Sequence, residues 1–248
     1  MAVSGAAALQ APTPEDPLDA RVAALRAAAG ERDGLDLLAW ILGPDKPAGE
    51  IALVSSFGAE SAVLLDMVSR VAPATPVIFL NTGKLFGATL SYRESLVERL
   101  RLTDVRDIRP DMKDLARHDP DGTLWSLEPD MCCHIRKTEP LDRALDGLDG
   151  WITGRKRFHG GARSALPLIE SDAGSGRIKV NPLAPWTPDG ISRYLSDREL
   201  PVHPLVDEGY DSIGCVPCTR ARKPGEPPRA GRWSWLDKSE CGIHGDGI

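Results

Sequence analysis

Three short apolar runs alternate with two helical segments between residues 51 and 108. We expect strands at 51–57, 76–80 and 104–108, and helices at 61–71 and 89–100. Runs that are apolar on both faces are typical of parallel strands covered by helices on each side. Because parallel strands need crossover connections, which are right-handed, this order predicts an α/β fold with a twisted, mostly parallel sheet flanked by helices.

The segments before and after this unit extend the same pattern. Further helices are predicted at 19–29, at 35–42, across most of 112–148 and at 187–200, and further strands at 150–153 and 177–180. Residues 1–18 are rich in Ala and Pro without periodicity, which predicts a disordered lead-in. The pattern indicates a single α/β domain over residues 19–228, followed by a polar tail over residues 229–248.

The charge balance restricts what such a domain binds. The 248 residues include 30 Lys and Arg against 36 Asp and Glu, a formal net charge of −6. Non-specific nucleic-acid binding needs a cationic field, so we predict no nucleic-acid partner. No apolar run reaches the roughly 18–20 residues of a membrane span, and no basic residue precedes Arg21 as a secretory signal requires. The sequence therefore predicts a cytoplasmic protein without a membrane partner.

Polar loops follow the first two predicted strands. Ser55 and Ser56 lie between the first strand and the next helix, and Thr82 and Gly83 follow the second strand. Backbone N–H groups and hydroxyls at a strand–helix junction bind anions against the positive end of the helix dipole. Open α/β sheets bind ligands at the carboxyl ends of their strands, so these loops indicate a nucleotide pocket. The alternative for the first loop is an ordinary capped turn, since it lacks a Walker sequence and spaced glycines.

Four of the five cysteines fall into two close pairs, Cys132 with Cys133 and Cys215 with Cys218. An odd number of cysteines without an export signal does not describe a disulfide scaffold. Four thiolates are the number that a [4Fe–4S] cluster or a structural zinc ion needs. Zinc sites usually space paired cysteines by about two to four residues, so the adjacent pair weighs against zinc. Buried, inert cysteines are the remaining alternative.

The fifth cysteine, Cys241, lies in a polar, Gly-rich tail. An exposed thiol becomes reactive when nearby cations stabilise its thiolate. Arg229, Arg232 and Lys137 are the candidate cations, and guanidinium groups also match phosphate and sulfate oxygens. A second basic segment, 154–159, contains Arg157, for which a solvated basic surface is an equal alternative.

Together these motifs resemble the phosphosulfate reductase family, and within it the cluster-bearing adenylylsulfate (APS) reductases of assimilatory sulfate reduction. They occur in order between residues 51 and 244. The motifs are Ser-Ser-Phe-Gly-Ala-Glu at 55–60, Thr-Gly-Lys-Leu-Phe at 82–86, Cys-Cys-x-x-Arg-Lys at 132–137, Asn-Pro-Leu at 181–183, Gly-Tyr-x-Ser-Ile-Gly-Cys-x-Pro-Cys-Thr at 209–219, Arg-Ala-Gly-Arg-Trp at 229–233 and Glu-Cys-Gly-Ile-His at 240–244. The resemblance implies an adenine nucleotide α-hydrolase-like (PP-loop-like) fold.

The resemblance also implies a mechanism and the residues that perform it. Cys241 is the implied nucleophile, which attacks the sulfur of APS, expels AMP and leaves an S-sulfocysteine from which thioredoxin releases sulfite. The implied ligands of one [4Fe–4S] cluster are Cys132, Cys133, Cys215 and Cys218. The positions implied to lie near the nucleotide or sulfate are Ser55, Ser56, Gly83, Lys137, Arg157, Arg229 and Arg232. The tail over 229–248 is then a mobile catalytic segment.

Several alternatives stay open. The substrate could carry a 3′-phosphate (PAPS), or both nucleotides could be accepted, although the PAPS branch generally lacks the cysteine pairs. A non-catalytic iron–sulfur redox sensor would explain the pairs but not the tail cysteine. A tRNA-thiolating ATP pyrophosphatase shares the implied fold but needs a Ser-Gly-Gly-x-Asp-Ser loop, which residues 55–61 lack. The sequence does not decide whether the protein is a homo-oligomer.

Overall fold

The structure is a computed structural model that describes residues 16–172, 174–238 and 240–244. These residues form a six-stranded sheet with the spatial order β3-β2-β1-β4-β6-β5. The strands are β1 (Ile51–Val54), β2 (Val77–Leu80), β3 (Val105–Ile108), β4 (Gly150–Ile152), β5 (Ile169–Asp172) and β6 (Arg177–Val180). Every neighbouring pair is parallel except β5 with β6. The sheet is therefore mostly parallel, as the sequence predicts.

The edge strand β5 is absent from the sequence-based prediction. Its four residues include only one strongly apolar side chain, Ile169, so the run shows no strand periodicity. The strand forms because it pairs antiparallel with β6, from Ile169 opposite Val180 to Asp172 opposite Arg177. The signal that could have found this hairpin is the Gly-rich connection, in which Gly176 has a φ of +66°.

Nine α-helices in the described residues surround the sheet. They are α1 (Pro17–Ala29), α2 (Gly34–Ile41), α3 (Ser61–Val71), α4 (Gly87–Leu100), α5 (Met112–His118), α6 (Leu124–Leu127), α7 (Pro129–Cys133), α8 (Glu139–Ala144) and α9 (Pro188–Asp197). A π-helical turn, His134–Thr138, joins α7 to α8, so this stretch is continuously helical. The helix predicted at 187–200 is confirmed as α9, and Thr187 caps its start, since the Thr187 hydroxyl accepts a 3.1 Å hydrogen bond from the Gly190 N–H.

Apolar residues fill both faces of the sheet. On one face Leu53, Phe79 and Ile152 belong to a large core that includes buried residues of α1 to α4 and α9. On the other face Ala52, Ile78 and Trp151 pack with Leu141 and Leu145, in and just after α8. Alternate residues of one strand thus point into different cores, which is why the strands are apolar throughout. The predicted fold class is confirmed.

The predicted lead-in, residues 1–18, lies outside the described residues except for its last three. Helix α1 begins at Pro17, two residues before the predicted start, because the Asp16 carboxylate caps it by accepting from the Leu18 N–H at 2.9 Å. The domain boundary at residue 228 stays a prediction. Within the described ranges, no helix combines the length and apolar character needed to cross a membrane.

Candidate active site

A cavity of about 220 Å³ opens at the carboxyl ends of β1 and β4. These neighbouring strands mark the point where the strand order reverses, with β2 and β3 beyond β1 and with β6 and β5 beyond β4. The loops that leave the two strands diverge, and ligands of open α/β sheets bind in such crevices. Six predicted substrate-binding or catalytic residues line the cavity: Ser55, Ser56, Lys137, Arg229, Arg232 and Cys241.

The other two predicted substrate-binding residues, Gly83 and Arg157, are not among the lining residues. Nε of Arg157 donates a 2.8 Å hydrogen bond to the carbonyl of Leu166, so this guanidinium is engaged along its own loop. Gly83 has a φ of +71°, and its N–H donates to the side-chain oxygen of Asn81 at 3.3 Å. Contact of either residue with substrate stays a prediction.

The loop after β1 is held in an unusual backbone conformation. Phe57 has a φ of +48°, a left-handed value that is costly for a residue with a bulky side chain. The Phe57 ring is fully buried and packs edge-on against Phe79, with 5.4 Å between ring centroids. The Phe57 N–H also donates to the Ser55 hydroxyl oxygen at 3.2 Å. Packing and hydrogen bonding thus fix the turn that directs Ser55 and Ser56 to the cavity.

Two cations and an indole also line the cavity. The Arg232 guanidinium carbon lies 4.5 Å from the Trp233 ring centroid and the Lys137 ammonium lies 6.0 Å from it. Arg232 also passes directly over Gly214, where a Cβ would lie 2.3 Å from one guanidinium nitrogen. A side chain at residue 214 would therefore displace the guanidinium of Arg232 from this position.

Cys241 reaches the same cavity from the C-terminal tail and is partly exposed. Burial raises the pKa of its thiol, but the positive charge of Lys137, the backbone N–H of Ile243 and the charge of Arg232 together outweigh it. The net result is a pKa below the ordinary value for cysteine. A thiolate beside two cations is the arrangement that makes a cysteine nucleophilic toward an anionic substrate.

The other four cysteines, Cys132, Cys133, Cys215 and Cys218, line a second, smaller cavity. The structure therefore brings together the two pairs, which are more than 80 residues apart in sequence. Lys137 lines both cavities and lies between the cysteine group and Cys241. In residues 16–172, 174–238 and 240–244, no group of three or more His, Cys, Asp or Glu side chains is arranged to hold a metal ion.

The donor atoms around this second cavity match a thiolate-ligated group, although the described side chains are not arranged as metal ligands. Burial raises the pKa of Cys132, Cys133 and Cys218 to about 11, so in the absence of metal these thiols are neutral. Cys215 makes a 3.3 Å contact with the Thr82 hydroxyl, the kind of bond that stabilises a ligating sulfur. Four sulfur donors around one cavity, with no carboxylate or imidazole among its lining residues, match an iron–sulfur donor set.

Sequence reasoning missed several charged residues of the main cavity. They are Glu60, Arg155, Lys156, His159, Arg163 and Glu240. In the basic segment 154–159, which follows β4, the sequence points only to Arg157 as a substrate-binding residue. In the structure Lys156 points inward and pairs with Glu60 at 2.7 Å, while Arg157 does not line the cavity. The available signal was the Glu of the first loop, which needs a cation if it is buried.

Comparison with known proteins agrees with the fold. Residues 50–221 match the model of the phosphoadenosine phosphosulfate reductase domain. An adenosine 5′-phosphosulfate reductase of Mesorhizobium japonicum is 50% identical over 199 residues, which cover 80% of this chain and 78% of that protein. The enzyme of the same name from Chelativorans sp. is 44% identical over 94% of this chain and 95% of its own length.

Solved structures extend the comparison. A crystal structure of phosphoadenylyl-sulfate (PAPS) reductase from Candida auris aligns with a TM-score of 0.67 and 28% identity, covering 80% of this chain and 96% of that one. Yeast FAD synthetase aligns with a TM-score of 0.53 at 14% identity, covering 82% of this chain and 75% of that one, and so shares the fold alone. From the matched domain and the relatives, this chain belongs to the phosphoadenosine phosphosulfate reductase family.

Proposed function

We propose that this protein reduces adenosine 5′-phosphosulfate to sulfite and AMP in assimilatory sulfate reduction, with thioredoxin as the reductant. The observation that carries the proposal is the placement of Cys241 in one cavity with Lys137 and Arg232, where its thiol pKa is lowered. The names and the extent of the similar reductases support the choice of substrate.

The chemistry has two steps. In the first, the Cys241 thiolate attacks the sulfur of APS, a sulfur–sulfur bond forms, the bond from sulfur to the phosphate oxygen breaks, and AMP leaves. Both reactants are negatively charged, so Lys137, Arg229 and Arg232 are needed to reduce their repulsion in the transition state. AMP leaves as a stable anion, so the step requires no strong general acid.

In the second step a thiolate of reduced thioredoxin attacks the Cys241 sulfur of the S-sulfocysteine. Sulfite departs with the electron pair of the broken bond, and a mixed disulfide is left between the two proteins. The second thioredoxin thiol then attacks that disulfide, which restores the Cys241 thiolate and oxidises thioredoxin. The dithiol thus supplies the two electrons that convert sulfate-level sulfur to sulfite.

We also propose that Cys132, Cys133, Cys215 and Cys218 hold one [4Fe–4S] cluster. The shared cavity and the absence of other ligand types in it support this choice. When bound, the cluster would supply a fixed charge distribution beside the site rather than electrons. Lys137, which lines both cavities, would carry that influence to Cys241 and the substrate.

Reduction of PAPS is the second candidate activity, because the similar solved structure from Candida auris is a PAPS reductase. One measurement distinguishes these activities. Anaerobically purified protein with its iron content verified would be incubated with APS or PAPS without reductant and examined by intact-protein mass spectrometry.

We expect a sulfonate adduct on Cys241 with APS alone, released as sulfite by thioredoxin. An adduct from both nucleotides would identify a dual-specificity enzyme, and one from PAPS alone would reassign the substrate. No adduct from either nucleotide would reject the reductase proposal and leave a non-catalytic redox sensor as the interpretation.

A further inference from the structure

A chain of polar contacts connects the first loop of the sheet to the residue beside Cys241. Its first member is Glu60, at the start of α3, whose Oε2 lies 2.7 Å from the Lys156 ammonium and 3.3 Å from Nε2 of His159. Burial raises the pKa of Glu60, but the bond from His159 and the charge and bond of Lys156 lower it to about 2. Glu60 is therefore a carboxylate at neutral pH.

The contacts of His159 determine which of its ring nitrogens carries the proton. Nδ1 of His159 lies 3.2 Å from Nη1 of Arg163. A guanidinium only donates, so Nδ1 must be the acceptor and the proton sits on Nε2, where it is donated to Glu60. Burial lowers the pKa of His159, which favours this neutral form. The imidazole thus contacts both Glu60 and Arg163 and orients the Arg163 guanidinium.

Arg163 in turn binds the tail through the carboxylate of Glu240. Its Nε and Nη2 donate to the two carboxylate oxygens of Glu240 at 2.6 and 2.7 Å, a bidentate pair. Arg229 adds a 3.3 Å bond to Glu240. Both members of the pair are buried, with 10% of the Arg163 side chain and 7% of the Glu240 side chain exposed. Such a pair fixes the backbone of Glu240 and of the next residue, which is Cys241.

Activation of the thiol does not explain a carboxylate at this position. A negative charge beside Cys241 disfavours its thiolate, and Glu240 acts in that direction. The neighbouring cations already provide the activation. What the bidentate pair adds is placement, because a displacement of about 1 Å in a reacting atom costs about a hundredfold in rate.

We propose that Glu60, His159, Arg163 and Glu240 form a positioning relay that holds the tail so that Cys241 faces the bound phosphosulfate. The inference rests on the proposed function and deepens it, since it assigns a role to residues outside the reacting atoms. His159 is the member with the most informative test. Glutamine can reproduce its two contacts by donating from Nε2 and accepting at Oε1, whereas leucine can reproduce neither.

The test compares His159→Gln, His159→Leu and Glu240→Gln in the full chain with its iron content verified. The control is Asp104→Asn, which removes the partner of Arg106, an ion pair just before and in β3 in which 39% of the Asp104 side chain is exposed. Two rates would be measured for each protein. The first is adduct formation on Cys241 at increasing APS, which separates the saturating rate from KM. The second is alkylation of Cys241 by iodoacetamide without nucleotide, at a pH above the ordinary pKa of cysteine, so that the rate reports exposure of the thiol rather than its ionised fraction.

We expect His159→Leu and Glu240→Gln to lower the saturating rate about tenfold or more, to leave KM within about threefold, and to speed alkylation of the released tail. His159→Gln and Asp104→Asn are expected to match the wild type within about threefold. A raised KM with an unchanged saturating rate would overturn the relay and make these residues substrate contacts. Unchanged alkylation in both disruptive variants, or a His159→Gln variant as slow as His159→Leu, would also overturn it.

Failure of the proposed function would look different. Wild-type protein would then form no adduct with APS or PAPS, while the alkylation rates would still report whether the relay holds the tail. Faster alkylation in His159→Leu and Glu240→Gln would support a docked tail even in that case. Equal alkylation rates would reject the relay independently of any reaction.

Discussion

Two kinds of cysteine lie side by side in this molecule. Cys133, Cys215, Cys218 and Cys241 all pack around Trp233. Yet burial raises the pKa of Cys133 and Cys218 to about 11, as it does for Cys132, while the pKa of Cys241 is lowered. The same helix that carries the adjacent cysteine pair continues into Lys137, so the cation is close to both groups.

The difference teaches that nearby cations alone do not make a thiol reactive. Lys137 and Lys238 lower the pKa of Cys133, and Lys137 and Arg232 lower that of Cys218, but desolvation prevails at both. Cys241 combines Lys137 with the Ile243 N–H and Arg232, and the sum exceeds the cost of burial. The paired thiols are suited to metal, which displaces their protons on binding, and Cys241 is suited to attack without it.

The largest expected effect comes from removing the reactive thiol. Cys241→Ser should abolish adduct and sulfite formation, since a hydroxyl has no accessible anion at neutral pH and is a far weaker nucleophile. AMP binding and the brown colour of the cluster should persist because the paired cysteines are untouched. Sulfite production and iron absorption measured on one preparation would check both statements. Retained turnover would show that another group is the nucleophile.

Removing one of the paired thiols should affect iron binding as well as activity. Cys218→Ser should lose the iron absorption and, with it, most activity, because three cysteines leave the cluster one ligand short. Metal analysis and visible absorbance would be compared with those of Cys241→Ser, in which iron is expected to be normal. A colourless wild-type protein that contains zinc would contradict the cluster assignment and reopen the zinc alternative.

The fold could be predicted from the sequence to a large extent because it is encoded locally. Apolar runs such as β1 and β2 are buried on both faces, so their own sequences predict strands of a parallel sheet. Strand β5 could not be predicted in this way, since Ile169 is its only strongly apolar residue and its pairing with β6 decides its structure. Packing partners, rather than propensity, define such an edge strand.

The site was predictable where residues carry unusual chemistry and not where they act in pairs. The five cysteines and Lys137 can be identified from the sequence, because the cysteines are clustered and Lys137 follows Cys133 by four residues. The ion pair between Arg163 and Glu240 joins positions 77 residues apart, and no spacing rule connects them. The same holds for Glu60 with Lys156 and His159, which meet only because β1 and β4 are neighbours in the sheet. Such networks become visible only in three dimensions.

The contribution of Lys137 to the contrast between the thiols can be tested through pH. Lys137→Met should raise the pKa of Cys241, because the charge that stabilises the thiolate most is removed while the cost of burial remains. The thiolate is the deprotonated form, so the rate of adduct formation should fall at neutral pH and recover as pH rises. The expected loss is about tenfold for each unit by which that pKa exceeds the assay pH.

The measurement is a pH profile of iodoacetamide labelling at Cys241, together with the rate of adduct formation with APS. Lys113→Met serves as the matched control, since Lys113 is exposed on α5 and does not line the cavity. A Lys137→Met profile that coincides with the wild-type curve would mean that the charge of this lysine does not set the reactivity of the thiol.

The smallest of these effects is expected from Arg232. The charge of Arg232 lowers the pKa of Cys241 less than Lys137 and the Ile243 N–H do. Arg232→Met should therefore shift the labelling profile in the same direction as Lys137→Met, but less far. Arg193→Met is the control, because Arg193 is exposed on α9 and does not line the cavity. If Arg232→Met moved the profile further than Lys137→Met, the guanidinium stacked on Trp233 would be the main source of thiolate stabilisation. The distinction between the two groups of thiols would then depend on the tail's own arginine rather than on the helix that carries the cysteine pair.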